Sequence, residues 1–163
     1  MGYYIILRGP LGVGKTTVAK KLVEKLKGYY IGLDSVLSRR GLDKVDTEEG
    51  IPAENFIKAQ EIIIPDVKDK LSKGRIVVID ACFYHKEQIE HLIENLGKDY
   101  VVVTLKASVE VCIERDKERS KVLGEDSVRA VFSLVDKFDY GLIINTDGKK
   151  ADEVARKILG HLK

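Results

Sequence analysis

The chain has 163 residues, 44% of them hydrophobic, and its 28 Lys plus Arg nearly balance 26 Asp plus Glu to leave a formal net charge of +2. That length suits a single domain with a proper core, and the near-neutral balance argues against a strong polyelectrolyte partner. Apolar runs reach only about six residues, against the roughly 20 a membrane span needs, which excludes a spanning helix.

The first element is the apolar, β-prone run Tyr3 to Leu7, which predicts a buried parallel strand. Because the chain opens directly on this strand, no signal peptide is expected, and a cytoplasmic protein with Cys82 and Cys112 as reduced core thiols follows. The strand runs into Gly9-Pro10-Leu11-Gly12-Val13-Gly14-Lys15-Thr16, which fits the phosphate-binding loop pattern of Gly, four residues and Gly-Lys-Ser/Thr without a mismatch. Its glycines allow consecutive amide N–H groups to converge on a polyphosphate, helped by the N-terminus of the next helix. Lys15 supplies a positive charge for the β- and γ-phosphates, the Thr16 hydroxyl is placed for a magnesium ion, and Thr17 is placed for the α-phosphate. An ordinary Gly-rich turn would lack the helix that follows, where Val18, Ala19, Leu22, Val23 and Leu26 share one face.

A second strand, Tyr29 to Leu33, delivers Asp34 to the cleft. A carboxylate there is suited to take the proton of an attacking hydroxyl, the base role in phosphoryl transfer; the plainer alternative is an N-cap for the helix from Ser35. Arg39 and Arg40 follow, either as binders of an anionic substrate or as solvated surface. Ala53 to Lys73 reads as helical, with Pro65 expected to split it and begin a second helix.

The third strand, Arg75 to Ile79, is closed by Asp80, which is expected to address magnesium or its water shell, with helix capping or substrate binding as alternatives. Ala81 to Lys86 reads as a pocket wall; His85 has no metal-ligand partner at the spacing of His91 or His161. Ile89, Leu92, Ile93 and Leu96 mark a helix, and Tyr100 to Leu105 the fourth strand. Arg115 and Arg119 then fall on one helical face ahead of the polar stretch Ser120 to Asp126, which predicts a short lid around residues 115–127 carrying an arginine to the transferred group. A surface ladder with Glu114, Asp116 and Glu118 is the competing explanation.

Val128, Val131, Phe132 and Val135 mark another helix, and Leu142 to Ile144 the fifth strand. It ends in Asn145-Thr146-Asp147-Gly148, which lacks the Asn-Lys-any-Asp guanine motif, so adenine is the default base. Val154, Ala155, Ile158, Leu159 and Leu162 give the last helix. Strand–helix alternation along the whole length predicts one three-layer α/β domain over 1–163 with a five-stranded parallel sheet and helices on both faces, its ligands at the carboxyl ends of the strands.

With these residues in place, the chain resembles the small P-loop kinases, in particular the branch holding chloramphenicol phosphotransferase, zeta-type toxins, gluconate and adenylylsulfate kinases and polynucleotide 5′-hydroxyl kinases. The phosphate loop carries the superfamily resemblance; Gly32-Leu33-Asp34-Ser35, Ile79-Asp80-Ala81 and Arg115 to Arg119 carry that of the branch. The resemblance implies the P-loop NTPase fold with strand order 2-3-1-4-5, Asp34 as base, Asp80 near magnesium or substrate, and the arginines as lid residues. ATP, Mg2+ and a small-molecule hydroxyl acceptor are expected; a polynucleotide or nucleotide kinase and a non-catalytic ATP-binding regulatory module are the alternatives. No carboxylate follows Asp34 by two residues and no glycine triplet follows the third strand, unlike a shikimate kinase. Ala81-Cys82-Phe83-Tyr84 replaces the Gly-any-Pro-Arg run of adenylate kinases, which disfavours a nucleoside monophosphate acceptor.

Overall fold

The computed structural model describes residues 2–45, 48–120 and 122–162. Five strands, β1 (Tyr4–Arg8), β2 (Tyr29–Gly32), β3 (Val77–Asp80), β4 (Tyr100–Lys106) and β5 (Leu142–Asn145), form one parallel sheet in the order β2-β3-β1-β4-β5. The helices are α1 (Lys15–Leu26), α2 (Leu33–Arg39), α3 (Ala53–Ser72), α4 (Lys86–Leu96), α5 (Val109–Lys117), α6 (Glu125–Val135) and α7 (Ala151–Gly160).

Two cores follow from the period of two along each strand. Tyr4, Ile6, Val77 and Ile79 point to the face covered by α2, α3 and α4, while Ile5, Leu7, Val78, Val103 and Ile144 point to the face covered by α1, α5 and α7. This is the expected three-layer P-loop fold, and continuous burial of β1 and β3 explains why both read as unbroken apolar runs. Cys82 and Cys112 are both free and buried.

One boundary differs from expectation. Pro65 does not split its segment: α3 is a single helix from Ala53 to Ser72. The buried stripe of Phe56, Ala59, Ile63, Ile64, Val67 and Leu71 continues past the proline without a break in phase, whereas Pro65 and Glu61, whose carbonyl loses its partner, lie on the exposed side. Water can satisfy that carbonyl, so packing outweighs the roughly 3 kcal/mol a proline costs inside a helix.

The register sets up the site. Leu7 and Gly32 both pair with Asp80, so the acid that ends β3 lies between the start of the phosphate loop and the β2–α2 junction. Everything that follows gathers at this end of the sheet.

Candidate active site

The loop between β1 and α1 is shaped by two left-handed glycines. Gly12, at φ 81°, packs so tightly that an added Cβ would sit 2.2 Å from the Cys112 carbonyl oxygen of α5; Gly14, at φ 97°, forms the N-cap of α1 and faces open space. Leu11, Gly12, Gly14, Lys15, Thr16 and Thr17 line a hollow of about 450 Å3 together with Asp34, Arg115 and Arg119. Gly9, Pro10 and Val13 of the expected binding stretch stand behind it: Val13 is core, an added Cβ on Gly9 would meet the Leu105 carbonyl at 2.9 Å, and the Pro10 carbonyl accepts from Lys15 Nζ at 2.9 Å.

Lys15 is thus curled back on its own loop and buried. Burial pushes its pKa down, but Cys82, Asp80 and Asp34 together outweigh that and leave it raised. Burial pushes the Cys82 thiol up to about 11, so near neutral pH the sulfur is uncharged and the carboxylates provide the countercharge.

Asp80 is only 5% exposed and receives two hydrogen bonds on one oxygen: Thr16 Oγ1 donates to Oδ2 at 3.0 Å and Tyr30 OH donates to the same atom at 2.8 Å. Oδ1 accepts none among the described residues. A threonine hydroxyl beside a carboxylate with a free oxygen is a hard oxygen donor set of the kind magnesium prefers. Asp80 does not itself line the hollow; it reaches it through Thr16. Tyr30 was not singled out by the sequence, because an aromatic in a β-prone run reads simply as strand. Lys20 Nζ lies 5.8 Å above its ring. Tyr30→Phe keeps the ring and deletes one bond to a buried carboxylate, so a loss of about 1–2 kcal/mol is expected from chemical denaturation; an unchanged midpoint would show that the bond is dispensable.

Asp34 lies in the first turn of α2, two residues past its N-cap Gly32, so the capping alternative is not what the chain adopts. Solvent reaches the carboxyl through the mouth of the cleft, while protein surrounds it on the other sides. Its pKa is raised, first by that crowding and also by Asp80, with Lys15 and Arg119 pulling it back. Arg39 and Arg40 are not part of this cleft: with Ile62, Ile63 and Asp66 they line a separate hollow between α2 and α3, and Arg39 Nε donates to Ser35 O at 3.3 Å.

The two arginines of α5 and its following loop have different surroundings. Arg115 Nη1 donates to the Val13 carbonyl at 3.0 Å and to Thr146 Oγ1 at 2.9 Å, while Nη2 donates to the Thr146 carbonyl at 3.0 Å. It therefore ties the phosphate loop to the loop after β5. Arg119 is 46% exposed in its side chain and only loosely paired, 3.8 Å from Asp116. Asp116 itself is buried and accepts from the amides of Leu123 and Gly124 at 3.2 and 2.9 Å, holding those two residues to α5. Lys121, within the expected lid, lies outside the described residues, as do Asp46 and Thr47 between α2 and α3.

A second, larger cavity of about 620 Å3 adjoins the phosphate hollow, sharing Leu11, Asp34 and Leu123 with it. Its walls come from α2, residues Asp43, Val45, Glu48, Gly50 and Ile51, α3, the β3–α4 loop and α6. Phe83 adopts φ 51°, a left-handed conformation unusual for an aromatic, and its neighbours Cys82 and Tyr84 both line the cavity. Tyr84 OH accepts from the Ile51 amide at 2.8 Å and His85 Nε2 lies 2.6 Å from the Ile51 carbonyl, which pins the 50–51 segment to that loop.

Behind the site lies Arg8, 0% exposed, which no motif flagged. Its guanidinium donates to the carbonyls of Phe83 (3.2 Å), Phe138 (3.2 Å) and Val135 (3.1 Å) and to Thr104 Oγ1 (3.1 Å), and its Cζ stacks 4.4 Å from the Phe138 ring centroid. Among the described residues no helix is long and apolar enough to cross a membrane, and no group of three or more His, Cys, Asp or Glu forms a metal cluster.

Comparison with known proteins agrees with this geometry at the level of fold. A Pyrococcus furiosus protein provisionally named an adenylate kinase is 31% identical over 95% of the chain and 81% of its own length. A shikimate kinase of Actinobacillus succinogenes is 32% identical over 78% of the chain and 72% of its own length. The unliganded structure of a sugar kinase from Janibacter superposes with a TM-score of 0.81 at 15% identity, covering 99% of the chain and 95% of that protein. A family model described as an AAA domain matches residues 5–139, more than half of the length. The chain belongs to that AAA-domain family and has the P-loop fold of small sugar and nucleotide kinases.

Proposed function

We propose that the protein is an ATP- and magnesium-dependent phosphotransferase that moves the γ-phosphoryl group to a hydroxyl of a small molecule, and that it acts in the cytoplasm. The observation that carries this reading is the pair of adjoining hollows with Asp34 on their shared wall: one is lined by the phosphate loop, the other has room for an acceptor. A protein that only binds nucleotide needs neither the second hollow nor a carboxylate between the two.

In this reading the loop amides and Lys15 bind the triphosphate, and Thr16 with Asp80 holds magnesium, which when bound neutralises phosphate charge. Asp34 takes the proton of the acceptor hydroxyl as its oxygen bonds to the γ-phosphorus; the bond from that phosphorus to the bridging oxygen breaks and ADP leaves. Arg119, exposed and weakly paired, is the arginine we assign to the transferred group, carried by the lid at residues 115–127; Arg115, tied to the Val13 carbonyl and Thr146, holds the loop in shape. Within the fold we group the chain with the chloramphenicol phosphotransferase, zeta toxin, gluconate kinase and polynucleotide kinase branch. Two relatives are named for adenylate and shikimate, but the Ala81-Cys82-Phe83-Tyr84 run and Val36, in place of a second carboxylate, favour a different acceptor.

The test is release of ADP and formation of a phosphate monoester, followed by phosphorus NMR, across a panel of hydroxyl compounds with ATP and magnesium. Acceptor-dependent ester is the expected result. ATP binding without any ester across the panel would favour the regulatory module, and steeply salt-dependent oligonucleotide phosphorylation would favour the polynucleotide reading.

A further inference from the structure

The lining of the larger cavity has a definite electrostatic sign. Its walls include Leu37, Ile51, Phe56, Tyr84, Val131 and Leu134, an apolar surface suited to a hydrocarbon or aromatic body. Its charged lining residues are Asp34, Asp43, Glu48 and Asp126, and none of the described lining residues is Lys, Arg or His. Lys44, between Asp43 and Val45, is exposed and outside the lining. No hydrogen bond or ion pair among the described residues engages the side chains of Asp43, Glu48 or Asp126. Lys15, Arg115 and Arg119 line the phosphate hollow instead, and Arg39 and Arg40 face a different one.

We infer that the acceptor is a largely apolar alcohol without negative charge, favoured when it carries an ammonium group, and that phosphate monoesters and carboxylates are rejected. An anionic acceptor would bring its charge among acidic side chains with no cation in the described lining to pair it, and would leave its hydration shell for an apolar wall. Selectivity of this kind comes as much from repulsion of the wrong partner as from attraction of the right one. An ammonium head finds uncommitted carboxylates at the rim, while its apolar body fills the floor. The inference rests on the phosphotransfer reading for the identity of this cavity as the acceptor site.

The experiment is calorimetric binding to the full chain saturated with a non-hydrolysable ATP analogue and magnesium, so that the phosphate hollow is filled and affinity is measured apart from catalysis. Phenylalaninol, hydrocinnamyl alcohol and phenyllactate share an aromatic body and a hydroxyl and differ in carrying a positive charge, none, or a negative one; adenosine monophosphate is the fourth probe. Phenylalaninol is expected to bind tightest, by on the order of 10-fold or more over phenyllactate. In the double variant Glu48→Gln/Asp126→Asn, both rim positions exposed, that preference should shrink severalfold. Binding of phenyllactate or adenosine monophosphate at least as tight as that of phenylalaninol overturns the inference, as does a preference of undiminished size in the double variant or no heat from phenylalaninol at millimolar concentration. If the expected ranking holds but no probe is phosphorylated in the ester assay, the charge selectivity stands and the transfer reading is the one in question.

Discussion

Asp34→Asn is expected to cut turnover by about 100-fold or more while leaving ATP affinity within about threefold. The carboxylate makes no hydrogen bond to the Gly9 to Thr16 loop, so in the proposed mechanism its loss leaves the triphosphate site intact and removes only the acceptor for the hydroxyl proton. The pH dependence sharpens the test. Crowding by protein raises the Asp34 pKa above its ordinary 3.8, so the basic form, and with it activity, should be lost on acidification at a higher pH than for a free aspartate. That acid limb should vanish from the residual activity of the variant. Stability runs the other way. A folded-state pKa above the unfolded one means that the protonated form favours folding below the unfolded pKa, and that this benefit is lost as pH rises through the folded pKa. At neutral pH the wild-type carboxylate therefore costs stability, and Asp34→Asn should unfold at the same or a higher denaturant concentration. Steady-state kinetics together with a denaturation curve decide it: full activity removes Asp34 from the mechanism, and a destabilised variant would show that its role is structural.

The second large effect concerns stability. Arg8→Ala is expected to lower the unfolding free energy by about 3–5 kcal/mol, and Tm by roughly 10 °C. Burial lowers the guanidinium pKa to about 10, with Asp139 opposing that shift, so the group stays charged at neutral pH although its charge is costly to bury. No carboxylate bonds to it among the described residues; its partners are carbonyls, two of them at and just after the C-terminus of α6, where the helix dipole favours a cation. Truncation strands those carbonyls in the core and opens a void between β1, β4 and α6. Arg8→Met, which fills much of the volume but donates nothing, should recover only the packing share. A loss below about 1 kcal/mol for the alanine variant would mean that the clamp contributes little.

How much of this was legible beforehand depended on distance along the chain. The phosphate loop, the acid after β3 and the acid after β2 are local patterns: a few consecutive residues imply a backbone shape, and the shape implies a ligand. Strand and helix periodicity is local too, and it sufficed for the three-layer fold. Pro65 is different, because a proline's effect depends on whether the carbonyl it frees meets water, which only the packing of α3 decides. The role of Arg115 was equally hidden, since its partners Val13 and Thr146 lie 102 and 31 residues away.

The amino-acid sequence by itself therefore determined the P-loop fold and where the Gly9 to Thr16 loop, Asp34 and Asp80 fall, because contiguous residues build those features. Only the tertiary structure decided which arginine is tied down, that Tyr30 supports Asp80, that Arg8 locks α6 to β1, and that the second cavity is apolar with an acidic rim. Those properties arise where side chains from distant segments meet, and the sum of their charges and surfaces exists only once the chain has folded.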